Sequence, residues 1–218
     1  MKKHIVILSI VLLAAVPVFA AVEDTKHDLS SGSGSGVTTS NTDQICVFCH
    51  TPHQSGTSTD PLWNHTLQSA STSYGFYDSA TLNANSTREG DIAAIASTDV
   101  SWLCLSCHDG TVAVNSLYND PYSTTVDPTL TELGNISSGL MTGTPNVGTD
   151  LSNDHPINFT YADVVSADGE LTAAGSVTLP LFSGKVQCAT CHDPHSSTTL
   201  FLTETVSGST LCLHCHTK

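Results

Sequence analysis

The stretch Cys188-Ala-Thr-Cys191-His192 has three further versions in the chain. They are Cys46-Val-Phe-Cys49-His50, Cys104-Leu-Ser-Cys107-His108 and Cys212-Leu-His-Cys215-His216, and the four together use all eight cysteines. C-x-x-C-H is the spacing of a covalent c-type haem site. Two thiols add to the vinyl groups of the porphyrin, and the adjoining imidazole is thereby held against one face of the iron. A zinc half-site or a redox dithiol also uses paired cysteines. Neither needs a histidine directly after the second thiol, and a dithiol enzyme needs one pair rather than four. Four covalently attached haem c groups are therefore expected, with His50, His108, His192 and His216 as the proximal ligands.

Outside the motifs, the N-terminus carries Lys2 and Lys3 ahead of an apolar run from Ile5 to Phe19, closed by Val18-Phe19-Ala20. This is the pattern of an export signal cleaved after Ala20. The run is shorter than the roughly 20 apolar residues of a membrane span, and no cysteine follows the expected cut, so no membrane anchor is expected. Export suits covalent haem, which is attached outside the cytoplasm. The mature chain keeps Lys26, Arg88, Lys185 and Lys218 against 20 acidic residues, a formal charge of −16. Such a surface repels nucleic acid, whose binding rests on basic side chains neutralising phosphates. It attracts cations and basic partners, and an acidic face that confers only solubility explains it equally well.

About 198 residues remain for the mature chain; the full sequence has only 13 aromatics and much Ser, Thr, Gly and Asn. Sustained helical or strand periodicity is scarce. A core of this composition hardly offsets the entropy of ordering the backbone, and four porphyrins tied to the chain can supply the missing apolar surface. The expected fold is mostly irregular coil with short helices at the haem motifs and few short strands, wrapped around four stacked haems.

Residues 21–45 form an arm containing His27 and Ser31-Gly-Ser-Gly-Ser-Gly36, a flexible-linker composition. Residues 46–108 open with Cys46-Val-Phe-Cys49-His50-Thr-Pro-His53 and close with Leu103-Cys104-Leu-Ser-Cys107-His108. Residues 188–218 open with Cys188-Ala-Thr-Cys191-His192-Asp-Pro-His195 and contain Leu211-Cys212-Leu-His-Cys215-His216. Both read C-x-x-C-H-x-P-H and then L-C-L-x-C-H, an internal duplication of a two-haem module. The intervening 109–187 is a turn-rich insertion, with a weak hairpin signal where Val177–Phe182 and Lys185–Gln187 flank Ser183-Gly184.

The sixth ligand sets the chemistry of each iron. Beyond the proximal four, the mature chain offers His27, His53, His65, His155, His195 and His214, and Met141 is its one methionine. At most one site can be His/Met. His53 and His195 follow a proximal histidine by three residues, a reach of at most about 11 Å, too short to grip both faces of one iron. Each is expected on a neighbouring haem, most simply the next one in its own module. His155, in Asp154-His-Pro-Ile157, is presented by a rigid proline, and His27 is the fourth distal candidate. His214 lies inside a C-x-x-C loop and is badly placed, and His65 in Pro61-Leu-Trp-Asn-His65 reads as a ligand or as an ordinary histidine.

The strings CVFCHTPH followed by PLWN, LCLSCHDGT, DHPI, and QCATCHDPH with LCLHCH resemble the small multihaem c-type cytochromes with doubled C-x-x-C-H motifs of metal-reducing bacteria. Among these, the tetrahaem extracellular filament cytochromes, or cytochrome nanowires, are similar in haem number and length. The resemblance spans residues 27–216 in patches. It implies a continuous stack of haems, with one distal histidine per subunit donated by the adjoining subunit, and it makes His27 the candidate for that ligand in trans. Three functions follow as alternatives: an extracellular filament subunit, a discrete periplasmic shuttle handing electrons to other redox proteins, and a reductase with one open iron. Four distal histidines for four irons favour pure electron transfer over an enzyme.

Overall fold

The computed structural model describes residues 22–36, 38–56, 61–79, 82, 99–119, 130–132 and 134–218. The export signal expected over residues 1–20 lies outside them. The regular elements are short, as the composition implies. Helix α1 spans Val100–His108, α2 Tyr161–Ala167, α3 Cys188–Cys191 and α4 Thr210–Leu213, and a 3-10 turn covers Ile45–Phe48. Most of the remaining backbone is coil and turn. Among the described residues no helix is long and apolar enough to cross a membrane.

Strands occur as two-stranded pairs. β1 (Thr38–Ser40) is antiparallel to β3 (Leu130–Glu132), and β2 (Gly75–Phe76) is parallel to β6 (Asp150–Leu151). β4 (Ile136–Ser137) pairs antiparallel with β5 (Leu140–Met141), and β7 (Phe159–Thr160) with β8 (Lys185–Val186). The hairpin expected around Ser183-Gly184 shrinks to one closed turn. Phe182 and Lys185 exchange both backbone hydrogen bonds at 3.0 Å, and Ser183 and Gly184 both take positive φ, the backbone of a type I′ turn. Lys185 and Val186 then pair with Phe159 and Thr160 instead of with residues before Phe182, because that register buries Val186 beside Phe159, Tyr161 and Val164.

Among the described residues, that cluster is one of three small apolar centres. A second gathers Tyr74, Phe76, Trp102, Leu105 and Leu151, and a third Val47, Phe48 and Leu117. So residues 109–187 contribute buried side chains to all three centres as well as turns. The Ser/Gly stretch also differs from a free linker. Asp28, Ser30 and Ser35 are buried, Asp28 accepts hydrogen bonds from the Asp24 and Ser30 backbone and from the Ser30 hydroxyl, and the Lys26 ammonium donates to the Ser35 carbonyl. Short polar side chains bonding their own loop fold the arm back on itself.

Candidate functional site

Each C-x-x-C-H lies on about one helical turn, the second of them inside helix α1 and the other three closed by a bond back to the first cysteine. The backbone N–H of His50, His192 and His216 donates to the carbonyl of Cys46, Cys188 and Cys212, at 2.8, 3.0 and 2.9 Å. Positions i, i+3 and i+4 share one face of such a turn, so both thiols and the imidazole leave the backbone on the same side. The residues between the cysteines anchor the turns. Val47, Phe48, Leu105, Ser106 and Thr190 are buried, whereas Leu213 in the last motif is half exposed. No disulfide joins any of the eight thiols.

The second and third motifs are locked to each other. The Cys188 N–H donates to the Ser101 hydroxyl at 3.0 Å, the Ser101 N–H to the Gln187 side-chain carbonyl at 3.2 Å, and the Gln187 amide to Asn158 Oδ1 at 3.0 Å. Gln187 is 1 % exposed. A hydrogen bond between the Cys104 and Cys188 thiols raises Cys104 and lowers Cys188. Burial, with Cys46 adding to it, pushes Cys49 up to about 11. The first motif is tied to the Trp63–His65 strand, where Asn64, fully buried, donates to the Val47 carbonyl at 2.7 Å and accepts from the Asn119 N–H at 2.9 Å.

The histidines carry the decisive geometry. Nδ1 of His50, His108 and His192 lies 2.6, 2.8 and 2.9 Å from the carbonyl oxygens of Pro61, Pro145 and Leu200. A carbonyl can only accept, so in each ring Nδ1 carries the proton and Nε2 keeps the lone pair. This is the arrangement by which a protein presents imidazole to a metal. Three of the proximal rings face a distal candidate: His108 faces His27 with centroids 6.0 Å apart, His50 faces His195 at 6.0 Å, and His216 faces His155 at 6.4 Å. Two imidazoles on opposite faces of one metal, with bonds of about 2.0–2.1 Å and ring centres about 1.1 Å behind the nitrogens, stand about 6.3 Å apart. The centroid spacing of each pair matches that separation. Among the described residues, no three or more His, Cys, Asp or Glu side chains gather in one place as a closed metal cage would need.

His27 fits the same role electrostatically. Burial, reinforced by the neighbouring His108, holds it down at about 4, so the ring is neutral at pH 7. Its buried Nδ1 lacks a well-formed hydrogen bond, and the ring stacks on Phe201 with centroids 4.1 Å apart.

The structure redistributes some of the expected ligands. His195 stands against His50 of the first motif and not against a haem site of its own module. His27, on the folded arm, meets His108 of the same chain. His65 is fully buried with Nδ1 and Nε2 at 2.8 and 2.9 Å from the carbonyls of Thr66 and Ala113, so a carbonyl stands at each ring nitrogen and its neutral ring donates to one of them. His214 contacts the Thr178 hydroxyl. His53 and His192 are exposed, and among the described residues neither ring faces a second imidazole as the three pairs do. The carbonyls of Pro61, Pro145 and Leu200, and the ring of Phe201, were invisible in the sequence, since they reach their histidines from 8 to 174 positions away.

Residues 180–218 match the family described as the doubled CXXCH motif, in the part of the chain that holds the third and fourth sites. No curated protein matches the sequence. The motifs indicate covalently bound c-type haem and, with it, haem-based electron transfer in an exported protein.

Proposed function

We propose that this chain is an extracellular electron-transfer protein that holds four haem c groups, each between two imidazoles, and that it assembles into filaments. The observation that carries the reading is the set of three proximal–distal imidazole pairs at 6.0–6.4 Å. The thiols Cys46, Cys49, Cys104, Cys107, Cys188, Cys191, Cys212 and Cys215 would hold the groups covalently. When bound, each supplies a one-electron iron couple whose potential is set by its axial ligands and surroundings.

The chain's own residues do the rest. Paired imidazoles close both axial positions, which supports electron transfer over a reductase, since activation of a small substrate needs an open position. The hydrogen-bonded Ser101–Gln187–Asn158 link holds the second and third attachment sites side by side, and short spacing between sites is what fast transfer requires.

Assembly follows from what the three pairs leave over. Among the described residues, His192 has its Nδ1 on Leu200, and neither its ring nor that of the exposed His53 faces a second imidazole. Two complementary half-sites exposed on one chain make a head-to-tail contact that propagates. In this reading His53 of one copy ligates at His192 of the next, and coordination offsets the repulsion between copies at −16. The test is His53→Ala in the exported protein. Loss of filaments, together with one high-spin haem in four, supports the filament. Unchanged low-spin spectra and polymers of normal length contradict it and leave the discrete shuttle.

A further inference from the structure

Leu200 and Phe201 are consecutive non-glycine residues with φ of 57° each, a left-handed backbone that side chains other than glycine rarely adopt. Burial does not explain the turn, since Leu200 is 70 % exposed. Its hydrogen bonds hold it in place. The Phe201 N–H donates to Thr198, the Asp193 N–H to the Phe201 carbonyl at 2.7 Å, and the Thr203 N–H to the Cys191 carbonyl at 2.9 Å.

What the turn achieves is visible at its two ends. It directs the Leu200 carbonyl at His192 Nδ1, 2.9 Å away, and lays the Phe201 ring on His27 at 4.1 Å with 20° between the planes. His192 is the proximal ligand of the third site, and His27 is the distal ligand of the second, where its plane stands at 82° to His108. Resting on the four-haem reading above, we propose that the Leu200–Phe201 turn is an orienting bracket. It fixes the rotation of one axial imidazole at each of two neighbouring haems, so that the electronic character of both sites depends on one strained turn. Phe201 is a positioning residue acting through His27.

The chemistry gives this a direct readout. Perpendicular imidazole planes act equally on the two iron orbitals that accept π donation and leave them nearly degenerate, which spreads the g-values of a low-spin ferric haem widely. Parallel planes split those orbitals and give a compact rhombic signal. The second site (82°) and the fourth (77°) belong to the first kind, and His50/His195 (12°) to the second.

The experiment is EPR and potentiometry on the exported holoprotein carrying Phe201→Ala, with Phe201→Leu as a second variant that keeps apolar bulk but loses the flat face. Either variant is expected to remove or shift the widely spread signal of one haem in four and to move the midpoint potential of that haem, with haem content still four. Phe201→Tyr, which keeps the ring, restores both. Leu200→Pro, which fixes φ at the wrong sign, should disturb the third site. Unchanged g-values and potentials in both Phe201→Ala and Phe201→Leu would overturn the bracket. Loss of bound haem from the unaltered chain would instead sink the four-haem reading on which it rests.

Discussion

Removing distal imidazoles one at a time tests the pairing most sharply, because the structure assigns different surroundings to chemically identical deletions. His155→Ala opens the site of His216, and His27→Ala the site of His108. Each should convert one haem in four, hence about a quarter of the ferric haem, from low-spin to high-spin, since one axial position is emptied. The two then diverge under added imidazole. A tethered side chain acts at an effective concentration of mM or more, so free imidazole must reach at least that level to replace it. His155 is exposed, and imidazole at roughly ten times that level should restore a low-spin spectrum. His27 is half-buried under the Phe201 ring, and the same concentration should restore less. His27→Ala also removes the ring stacked on Phe201, visible as a lower denaturation midpoint. Absorbance and EPR titrations read both effects. If either deletion leaves all haems low-spin, the corresponding pair is wrong, and equal rescue of both would refute the assigned burial.

Three further outcomes follow from the surrounding hydrogen bonds and from burial. Gln187→Ala strands the Ser101 N–H and Asn158 Oδ1 in a buried setting, which should cost about 2–6 kcal/mol at about 1–3 per unsatisfied group; denaturant unfolding with a loss under about 0.5 kcal/mol would contradict the link. His65→Ala should destabilise by a similar amount, through its cavity and an orphaned carbonyl, yet produce no high-spin haem, whereas a spin-state change would make His65 a ligand. Tyr161, whose phenol donates to the Thr172 and Cys215 carbonyls, is pushed up to about 12 by burial and by Cys215. Its folded value lies above the ordinary tyrosine value near 10, so its contribution is complete below about pH 10 and is lost as pH rises toward 12. Tyr161→Phe should flatten stability over that window, and a profile as steep as the unaltered chain's would argue against it.

How much of this was legible in the sequence depends on the distance over which each feature is decided. The four attachment turns were, because vinyl spacing and one helical turn fix C-x-x-C-H locally. So was the shortage of regular structure. The distal histidines were visible as residue types, but their partners were not, since that depends on how two C-x-x-C-H-x-P-H strands approach each other across more than a hundred residues. Local composition misled at Ser31–Gly36, where serine hydroxyls and Asp28 close a folded loop. It misled again after Gly184, where the turn formed but burial of Val186 selected Phe159 as the strand partner. His65 could be settled only by finding a carbonyl at each ring nitrogen.

Every part of this account requires that all eight thiols be consumed by porphyrin. Intact mass spectrometry of the exported chain under denaturing conditions retains thioether-bound haem and sheds anything held by coordination alone. The expected result is the mature chain plus about 2.5 kDa, four haems on four motifs, with no thiol open to alkylation. A mass short of four haems, with alkylatable cysteines or bound zinc in their place, would contradict it.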